Sequence, residues 1–323
     1  MVKMQSRHFL AEPILIGLIA ILCTSCASVG VRQQAAHERN IERTVQMLIA
    51  TGDSDSLAAA ALLNVGPIVN PREGLALIAR AVEKAPDRPD LIWLNIRLCA
   101  QVEGCNPEPL EAQLRALDTD NGVAWLDSIG RSAKLNDVVG VRNNLMGIAR
   151  SKRFDVYWNS TIVHIANAML KTQTINLTSA FLFTTGIAAG IVIPAYEPIL
   201  HACKGKALQD PEVLNACHQV SSVMRAGDIY MTEIIGLSIA KRTWPEGSAE
   251  YLDAIKATGV AHYQMNTDGK ISLHRLWSSR YFRKRLQLMT DNKTQQEVTS
   301  AEIMNAKLSP NPPSSWTDKL GGS

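Results

Sequence analysis

The stretch His274–Lys284 (HRLWSSRYFRK), extended by Arg285, carries the side chains best suited to binding an anionic surface. Its cations alternate with aromatic rings. The candidate contact residues are Arg275, Trp277, Arg280, Arg283, Lys284 and Arg285. On a helix this pattern places a basic side beside an apolar one, which suits contact with lipid phosphates or an acidic glycan. A solvated amphipathic helix without any ligand fits the same residues.

The common catalytic motifs give little support for an enzyme. Ser238 and Lys241 have the S-x-x-K spacing of penicillin-binding enzymes, but the S-D-N and K-T-G elements of that class are missing from the sequence. G-x-S-x-G, H-E-x-x-H and a phosphate-binding glycine loop are also missing. The carboxylates of Asp118 and Asp120 are interpreted as turn and cap residues. We therefore expect no catalytic site and no cofactor.

The N-terminal segment has the pattern of an export signal. A basic start with Lys3 and Arg7 precedes Ile14–Leu22 (ILIGLIAIL), and small residues follow. This apolar run is much shorter than the roughly 20 residues that a membrane-spanning helix needs. We expect residues 1–25 to be removed on export. Ordinary secretory cleavage and an uncleaved anchor remain as alternatives.

The end of this segment, Thr24-Ser25-Cys26, resembles the signal of bacterial lipoproteins. The resemblance implies cleavage after Ser25 and acylation of Cys26, for example with palmitate. Ala27, where sorting to the inner membrane uses Asp, implies attachment to the outer membrane, facing the periplasm. Residues 26–37 are small and polar and are predicted to form a flexible tether.

Four further cysteines lie in what we expect to be an oxidising compartment. Four cysteines allow three pairings, and we expect the two local ones, Cys99–Cys105 and Cys203–Cys217. Histidines beside the second pair leave a zinc site as an alternative. Because disulfide formation competes with zinc binding there, we expect no metal.

The composition favours a helical protein that does not bind nucleic acid. The 323-residue chain has a formal net charge of +3, too small to indicate a polyanionic nucleic acid as partner. Aromatic residues make up 5% of the chain, and Ala, Leu and Ile are plentiful. Strands are enriched in aromatic and β-branched residues, so this mixture predicts helices.

Apolar residues recur at helical spacing between about 38 and 170, and a repeat accompanies them. Trp93, Trp125 and Trp158 follow acidic turns at a spacing of 32 and 33 residues. This period, with pairs of helices, resembles the tetratricopeptide class. The resemblance implies an all-α fold of antiparallel helix pairs stacked as a solenoid. A bundle of three helix pairs fits the same pattern.

The chain also resembles uncharacterised helical lipoproteins of Gram-negative bacteria. The resemblance depends on the cysteine pair in Cys99–Cys105, the later block with Cys203 and Cys217, and Gly227-Asp228-Ile229 ahead of an apolar helix. That family has no established activity to transfer. The resemblance therefore implies only fold and location.

The remaining sequence divides into two parts. Residues 171–290 are predicted to continue the helical domain of residues 38–170. They include the uncharged stretch 173–196, which we interpret as a buried central helix, with a membrane-inserting or partner-docking hairpin as the alternative. Residues 291–323 are polar and contain several prolines, which predicts a disordered tail.

These features predict a scaffold for protein–protein interaction at the outer membrane. Stacked helix pairs create a concave surface that can bind a peptide or a helix. The expected partners are envelope proteins that the sequence does not identify, and the membrane through acylated Cys26. The alternative is an enzyme or accessory factor of envelope or peptidoglycan metabolism whose active site the sequence does not reveal.

Overall fold

The computed structural model describes residues 39–64 and 70–316, and within these ranges the fold is all-α. Their β structure is limited to an isolated bridge between Asn121 and Arg153. The helices are α1 (39–51), α2 (Ser54–Leu63), α3 (Pro71–Lys84), α4 (Pro89–Cys99), α5 (Glu108–Leu117), α6 (Leu126–Lys134), α7 (Val138–Ala149), α8 (Trp158–Lys171), α9 (Leu177–Ile191), α10 (Glu197–Ala202), α11 (Pro211–Arg225), α12 (Tyr230–Thr243), α13 (Ala249–His274), α14 (Ser279–Asp291) and α15 (Gln295–Asn305).

Short polar side chains begin many of these helices. The Asp53 carboxylate accepts a hydrogen bond from the Ser56 amide at 2.8 Å and caps α2. The Asn70 side chain caps α3 in the same way, and Pro71 provides a first residue that needs no hydrogen-bond partner for its nitrogen. These caps fix where each helix starts and therefore which face of it is buried.

Helices that follow each other in the chain pack as pairs. The contacting pairs are α2 with α3, α4 with α5, α6 with α7, α8 with α9 and α11 with α12. Links of a few residues join most partners, as the sequence predicts. The prediction of packed helix pairs is therefore confirmed.

Helix α2 lies at the centre of the core and contacts helices that are distant from it in the chain. Its residues Ala58–Ala61 are completely buried, and their small side chains allow close approach of α3 and α8. The contact between α2 and α8 joins segments about a hundred residues apart. In an open solenoid each helix pair contacts only its neighbours. The packing therefore departs from the predicted tetratricopeptide-like solenoid.

The three tryptophans of the predicted repeat occupy different structural positions. Trp93 lies inside α4, is fully buried and donates its indole hydrogen bond to the Val192 carbonyl at 3.2 Å. Trp125 ends a 3₁₀ turn before α6, and Trp158 is the first residue of α8. The spacing of 32 and 33 residues therefore does not mark equivalent places.

The uncharged stretch 173–196 forms α9 and its flanks. One face of α9, with Phe181, Thr184 and Ala188, is buried, and the helix packs mainly on α8 and α14 with smaller contacts to α2 and α4. The opposite face, with Leu182 and Gly186, is exposed, so the helix is only half buried. Across the described parts of the chain, no helix has both the length and the apolar composition needed to cross a bilayer.

The prediction of a disordered tail over residues 291–323 is wrong for its described part. Residues Gln295–Asn305 form α15, which packs on α13 and α14 and buries Val298 and Ile303. Thr294 and Glu297 form a reciprocal capping box that starts the helix. The polar composition suggested disorder, but a mostly polar helix can pack on the protein through one narrow apolar face.

Candidate functional site

The stretch His274–Arg285 forms a corner between two helices and not a single amphipathic helix. Helix α13 ends at His274, and α14 begins at Ser279 after a short link. The Ser278 hydroxyl accepts a hydrogen bond from the Tyr281 amide at 3.2 Å and caps α14. Trp277 lies in the link, and the prediction that it lies on a surface helix is therefore wrong. We call residues 273–284 the α13–α14 corner.

Four of the predicted contact residues lie together on this corner as exposed cations. Arg275, Arg280, Arg283 and Lys284 are all exposed. No acidic side chain in residues 39–64 or 70–316 forms an ion pair with any of them. Arg275 lies over the Tyr281 ring, 5.8 Å from its centroid. These four side chains are therefore available to an anionic ligand.

Arg285 was predicted to join this surface, and that prediction is wrong. Its guanidinium is buried and forms hydrogen bonds with the Asp268 carboxylate at 2.9 and 3.0 Å and with Glu302. Burial disfavours the charge, but Asp268 and Glu302 together raise the pKa of Arg285 above its usual value. Its positive charge is neutralised inside the protein, where the guanidinium joins α14 to α13 and α15.

The carboxyl of Glu302 in this buried cluster is unusual. Burial raises the pKa of Glu302 to about 7, despite the attraction of Arg285. The Tyr281 hydroxyl donates a hydrogen bond to Glu302 at 2.9 Å, and burial raises the pKa of that tyrosine to about 12. Because every charged atom here faces a protein partner, the cluster holds helices together and leaves no free group for catalysis.

A small cavity of about 200 Å³ lies beside the cluster, between α8, α9 and α14. Its walls are mainly apolar, with Trp158, Ile162, Phe181, Phe282 and Met289 among the lining side chains. The one guanidinium at its edge, that of Arg285, is already occupied by carboxylates. The buried Thr185 hydroxyl on its wall has no hydrogen-bond partner, but this one free group is not the set of several converging polar groups that orients a substrate.

Both predicted cysteine pairs are joined in the structure. Cys99 at the end of α4 is bonded to Cys105, and Cys203 after α10 is bonded to Cys217 in α11, each with its sulfur atoms 2.02 Å apart. The sulfurs of the second pair are therefore not free for the alternative zinc site. Within the described residues, no group of three or more His, Cys, Asp and Glu side chains is arranged to hold a metal ion.

Sequence analysis named Asp228 only as part of a family resemblance and did not predict that it is buried at the junction of several elements. Asp228, before α12, accepts hydrogen bonds from the amides of Val156 at 2.9 Å and Trp158 at 3.0 Å. Burial, with the nearby Asp155 carboxylate, raises the pKa of Asp228 well above its usual value. The only sequence signal for this role was the position of Asp228 in a short segment that otherwise lacks charge. Its bonds position the start of α8, which is a structural role.

Two other polar clusters resemble fragments of catalytic sites. His164 lies half-exposed with its Nδ1 atom 3.2 Å from the Asp55 carboxylate. Arg88 pairs with the same carboxylate. The Asp118 carboxylate accepts a hydrogen bond from Tyr157 and pairs with Arg153. Neither cluster brings a serine or cysteine nucleophile to its acid within the described residues.

A second exposed surface, which the sequence analysis did not single out, lies at the turn between α6 and α7. Leu135, Val138 and Val139 are 78%, 78% and 68% exposed. Asn136 adopts a left-handed conformation with φ 55°, and the Asp137 side chain caps α7 by accepting the Gly140 amide. These bonds fix the turn, so its three apolar side chains are held outward. We call residues 135–139 the apolar turn.

Some predicted sites cannot be placed. Cys26 lies outside the described residues, as do the predicted signal and tether of residues 1–37. Comparison with known proteins adds nothing, since no family model, no curated protein and no solved structure matches the chain.

Proposed function

We propose that this protein binds a partner protein through the apolar turn and does not transform a substrate. One observation carries the proposal: three large apolar side chains are mostly exposed within five residues of a well-fixed turn. Exposed apolar residues grouped in this way mark interaction sites on soluble domains. Scattered single exposed apolar residues would carry no such meaning.

The chemistry of the turn favours a protein as its partner. The fully buried centre of a protein interface is apolar and poor in charge, which matches Leu135 and the two valines. Valine has few rotamers, and the turn is already ordered, so little conformational entropy is lost on binding. The exposed charges of Lys134 and Asp137 beside and within the turn offset each other, so the turn offers no net positive charge to attract an anionic membrane.

The acidic groups with raised pKa values have structural roles, and this favours binding over catalysis. Asp127, Asp228, Glu233 and Glu302 have raised pKa values, which often mark catalytic sites. Each accepts hydrogen bonds from protein partners on other elements, as Asp127 does from Arg97 and Glu233 from Gln296. This supports the expectation of a scaffold built from helix pairs over the alternative of an envelope enzyme.

We also propose that Cys26 anchors the protein. Cleavage after Ser25 and acylation of Cys26 would hold the helical domain at the periplasmic face of the outer membrane. A single acyl chain binds a membrane only weakly, and stable anchoring requires more than one. Replacement of Cys26 by Ser should abolish incorporation of labelled palmitate in cells. Undiminished labelling of that variant would refute the anchor without affecting the proposed partner site.

The partner site can be tested by photo-crosslinking in cells that produce the full chain. A photoreactive amino acid at position 138 should give a covalent adduct of defined mass with one protein. Substitution of the flanking residues, Leu135→Ser with Val139→Ser, should remove most of that adduct because the apolar contact is lost. The matched control places the photoreactive residue at Leu252, which is also exposed but lies on α13.

Two outcomes would refute the proposal. One is an adduct at position 138 no stronger than that at position 252. The other is an adduct that the two flanking serines leave unchanged, because capture would then not depend on the apolar turn.

A further inference from the structure

The α13–α14 corner has two large apolar side chains that point away from the protein. Leu273 in the last turn of α13 is 72% exposed, and Trp277 in the link is 88% exposed. The neighbouring Leu276 is partly buried against the core and lines the cavity beside the corner. Leu276 therefore packs the corner against the protein, whereas Leu273 and Trp277 are exposed to solvent.

Cations surround these two side chains, and acids are missing nearby in the sequence. From residue 269 to residue 290 the chain contains no Asp or Glu. Lys270, Arg275, Arg280, Arg283 and Lys284 are exposed there, with no ion pair to a described acid. Since Arg285 is neutralised by buried carboxylates, the positive charge that the corner presents comes entirely from these exposed groups.

We propose that the α13–α14 corner docks onto the surface of an anionic lipid bilayer. Trp277 and Leu273 would enter the headgroup region, and the surrounding cations would contact lipid phosphates. An indole has an apolar body and one hydrogen-bond donor, which suits the boundary between acyl chains and water. Basic side chains around apolar residues bind anionic lipids by electrostatic attraction together with burial of apolar area.

The structure favours a bilayer over an acidic protein as the occupant. The exposed cations lie on the link and on the adjoining turns of α13 and α14 and do not line the cavity beside the corner, which suits contact with an extended charged surface. Trp277 is 88% exposed, and the absence of Asp and Glu between residues 269 and 290 leaves no acidic side chain in that stretch to repel lipid phosphates. The inference goes beyond the proposed function, because it uses a different surface and a different class of partner.

The corner is rigid enough to dock as a unit. Ser278 caps α14, and the Arg275 guanidinium lies over the Tyr281 ring. Beneath them, Arg285 joins α14 to Asp268 of α13 and Glu302 of α15. Because these contacts already order the link, docking costs little conformational entropy.

The test follows the emission of Trp277 in the full chain. Vesicles of phosphatidylcholine with brominated acyl chains are prepared with and without one third phosphatidylglycerol, an anionic lipid. Bromine quenches only those indoles that enter the bilayer. Subtracting the emission of the Trp277→Phe variant isolates the signal of Trp277 from that of the other tryptophans.

We expect quenching of Trp277 in anionic vesicles, little in neutral vesicles, and loss of quenching at high salt because screening weakens the attraction. The double variant Arg280→Gln with Arg283→Gln should lower the ratio of docked to undocked corner about fivefold for each cation removed. The control variant Arg72→Gln with Arg80→Gln removes the same charge from exposed positions on α3 and should leave quenching unchanged. All four positions are exposed, and circular dichroism checks that each variant is folded.

Three results would overturn the proposal. Trp277 could remain unquenched in anionic vesicles, or be quenched equally in neutral ones. The control pair on α3 could reduce quenching as much as the pair on the corner. Finally, soluble poly-glutamate could shift the emission of Trp277 while anionic vesicles leave it unquenched, which would identify an acidic polypeptide as the ligand.

Discussion

At the scale of single residues, Arg285 shows how one basic run divides between the surface and the core. Its neighbours Arg283 and Lys284 are exposed, whereas Arg285 faces Asp268 and Glu302, each 17 residues away in the chain. Arg285 lies four residues after the buried Tyr281, on the same face of α14. The four-residue spacing from Tyr281 was a signal for the buried face that the sequence analysis did not use, and the sequence does not reveal which acids neutralise Arg285.

The raised pKa of Glu302 predicts a specific dependence of stability on pH. The folded protein holds this proton up to a pKa of about 7, whereas the unfolded chain releases it near 4.5. The folded state therefore binds more protons between these values, and the free energy of unfolding falls as pH rises from 4.5 to 7. In Glu302→Gln the side chain is neutral at every pH. The decrease in the free energy of unfolding between pH 4.5 and 7 should therefore be smaller by roughly 2 kcal/mol in this variant.

Urea unfolding of both proteins at several pH values measures the difference. The groups facing Glu302, which are Asp268, Tyr281 and Arg285, remain in both proteins. Glu250→Gln, at an exposed position on α13, serves as the control and should follow the unaltered protein. Identical pH profiles for the protein and Glu302→Gln would show that Glu302 titrates as an ordinary carboxyl.

At the scale of helices, close packing of α7 against the 3₁₀ turn before α6 depends on a glycine. Gly147 lies in α7 against the Trp125 indole, and a Cβ atom there would come within 2.4 Å of the ring. Gly147→Ala should therefore lower the free energy of unfolding by roughly 1–3 kcal/mol, as overpacking does. Urea unfolding measures the change.

Gly186→Ala is the matched control within a helix. Gly186 lies on the exposed face of α9, where an added Cβ atom meets nothing within 4 Å. Alanine is the better helix former, so this variant should gain about 0.5–1 kcal/mol. A loss at Gly186 equal to that at Gly147 would mean that glycine is replaced poorly for reasons other than the Trp125 contact.

Most helices could be predicted from sequence because their signals are local. Apolar spacing predicted helices between about 38 and 170, and short polar caps and the proline at the start of α3 are further local signals. Helix α15 was missed because its apolar face is narrow, although its capping box at Thr294 and Glu297 was a readable signal. The apolar turn was missed because Leu135 and Val138 fit a buried helix equally well by pattern alone.

At the scale of the whole molecule, the decisive contacts are long-range. Helix α2 packs on α8, and Asp228 joins the start of α8 to the segment before α12. The spacing of residues along the chain does not reveal such contacts. The period of the tryptophans therefore predicted an open solenoid, in which only neighbouring helix pairs are in contact. The all-α class and the local disulfides were accessible from sequence, whereas the closure of the core was not.

Closure of the core predicts that destabilisation spreads through the molecule. Trp93→Ala removes a fully buried side chain and should cost about 3–5 kcal/mol. Amide hydrogen exchange should then accelerate by a similar factor in α2, α4, α8 and α11, since they share one core. In an open solenoid the loss would concentrate in the neighbours of α4. Trp277→Ala, at an exposed position, should leave exchange unchanged throughout.

The most direct measurement separates partner binding from folding in one variant. With Leu135→Ser and Val139→Ser, we expect the free energy of unfolding to stay within about 0.5 kcal/mol, because both side chains are exposed. Recovery of the partner identified by crosslinking at position 138 should fall at least about tenfold, since two apolar contacts are lost. Unchanged recovery of that partner by a fully folded variant would contradict the proposed function.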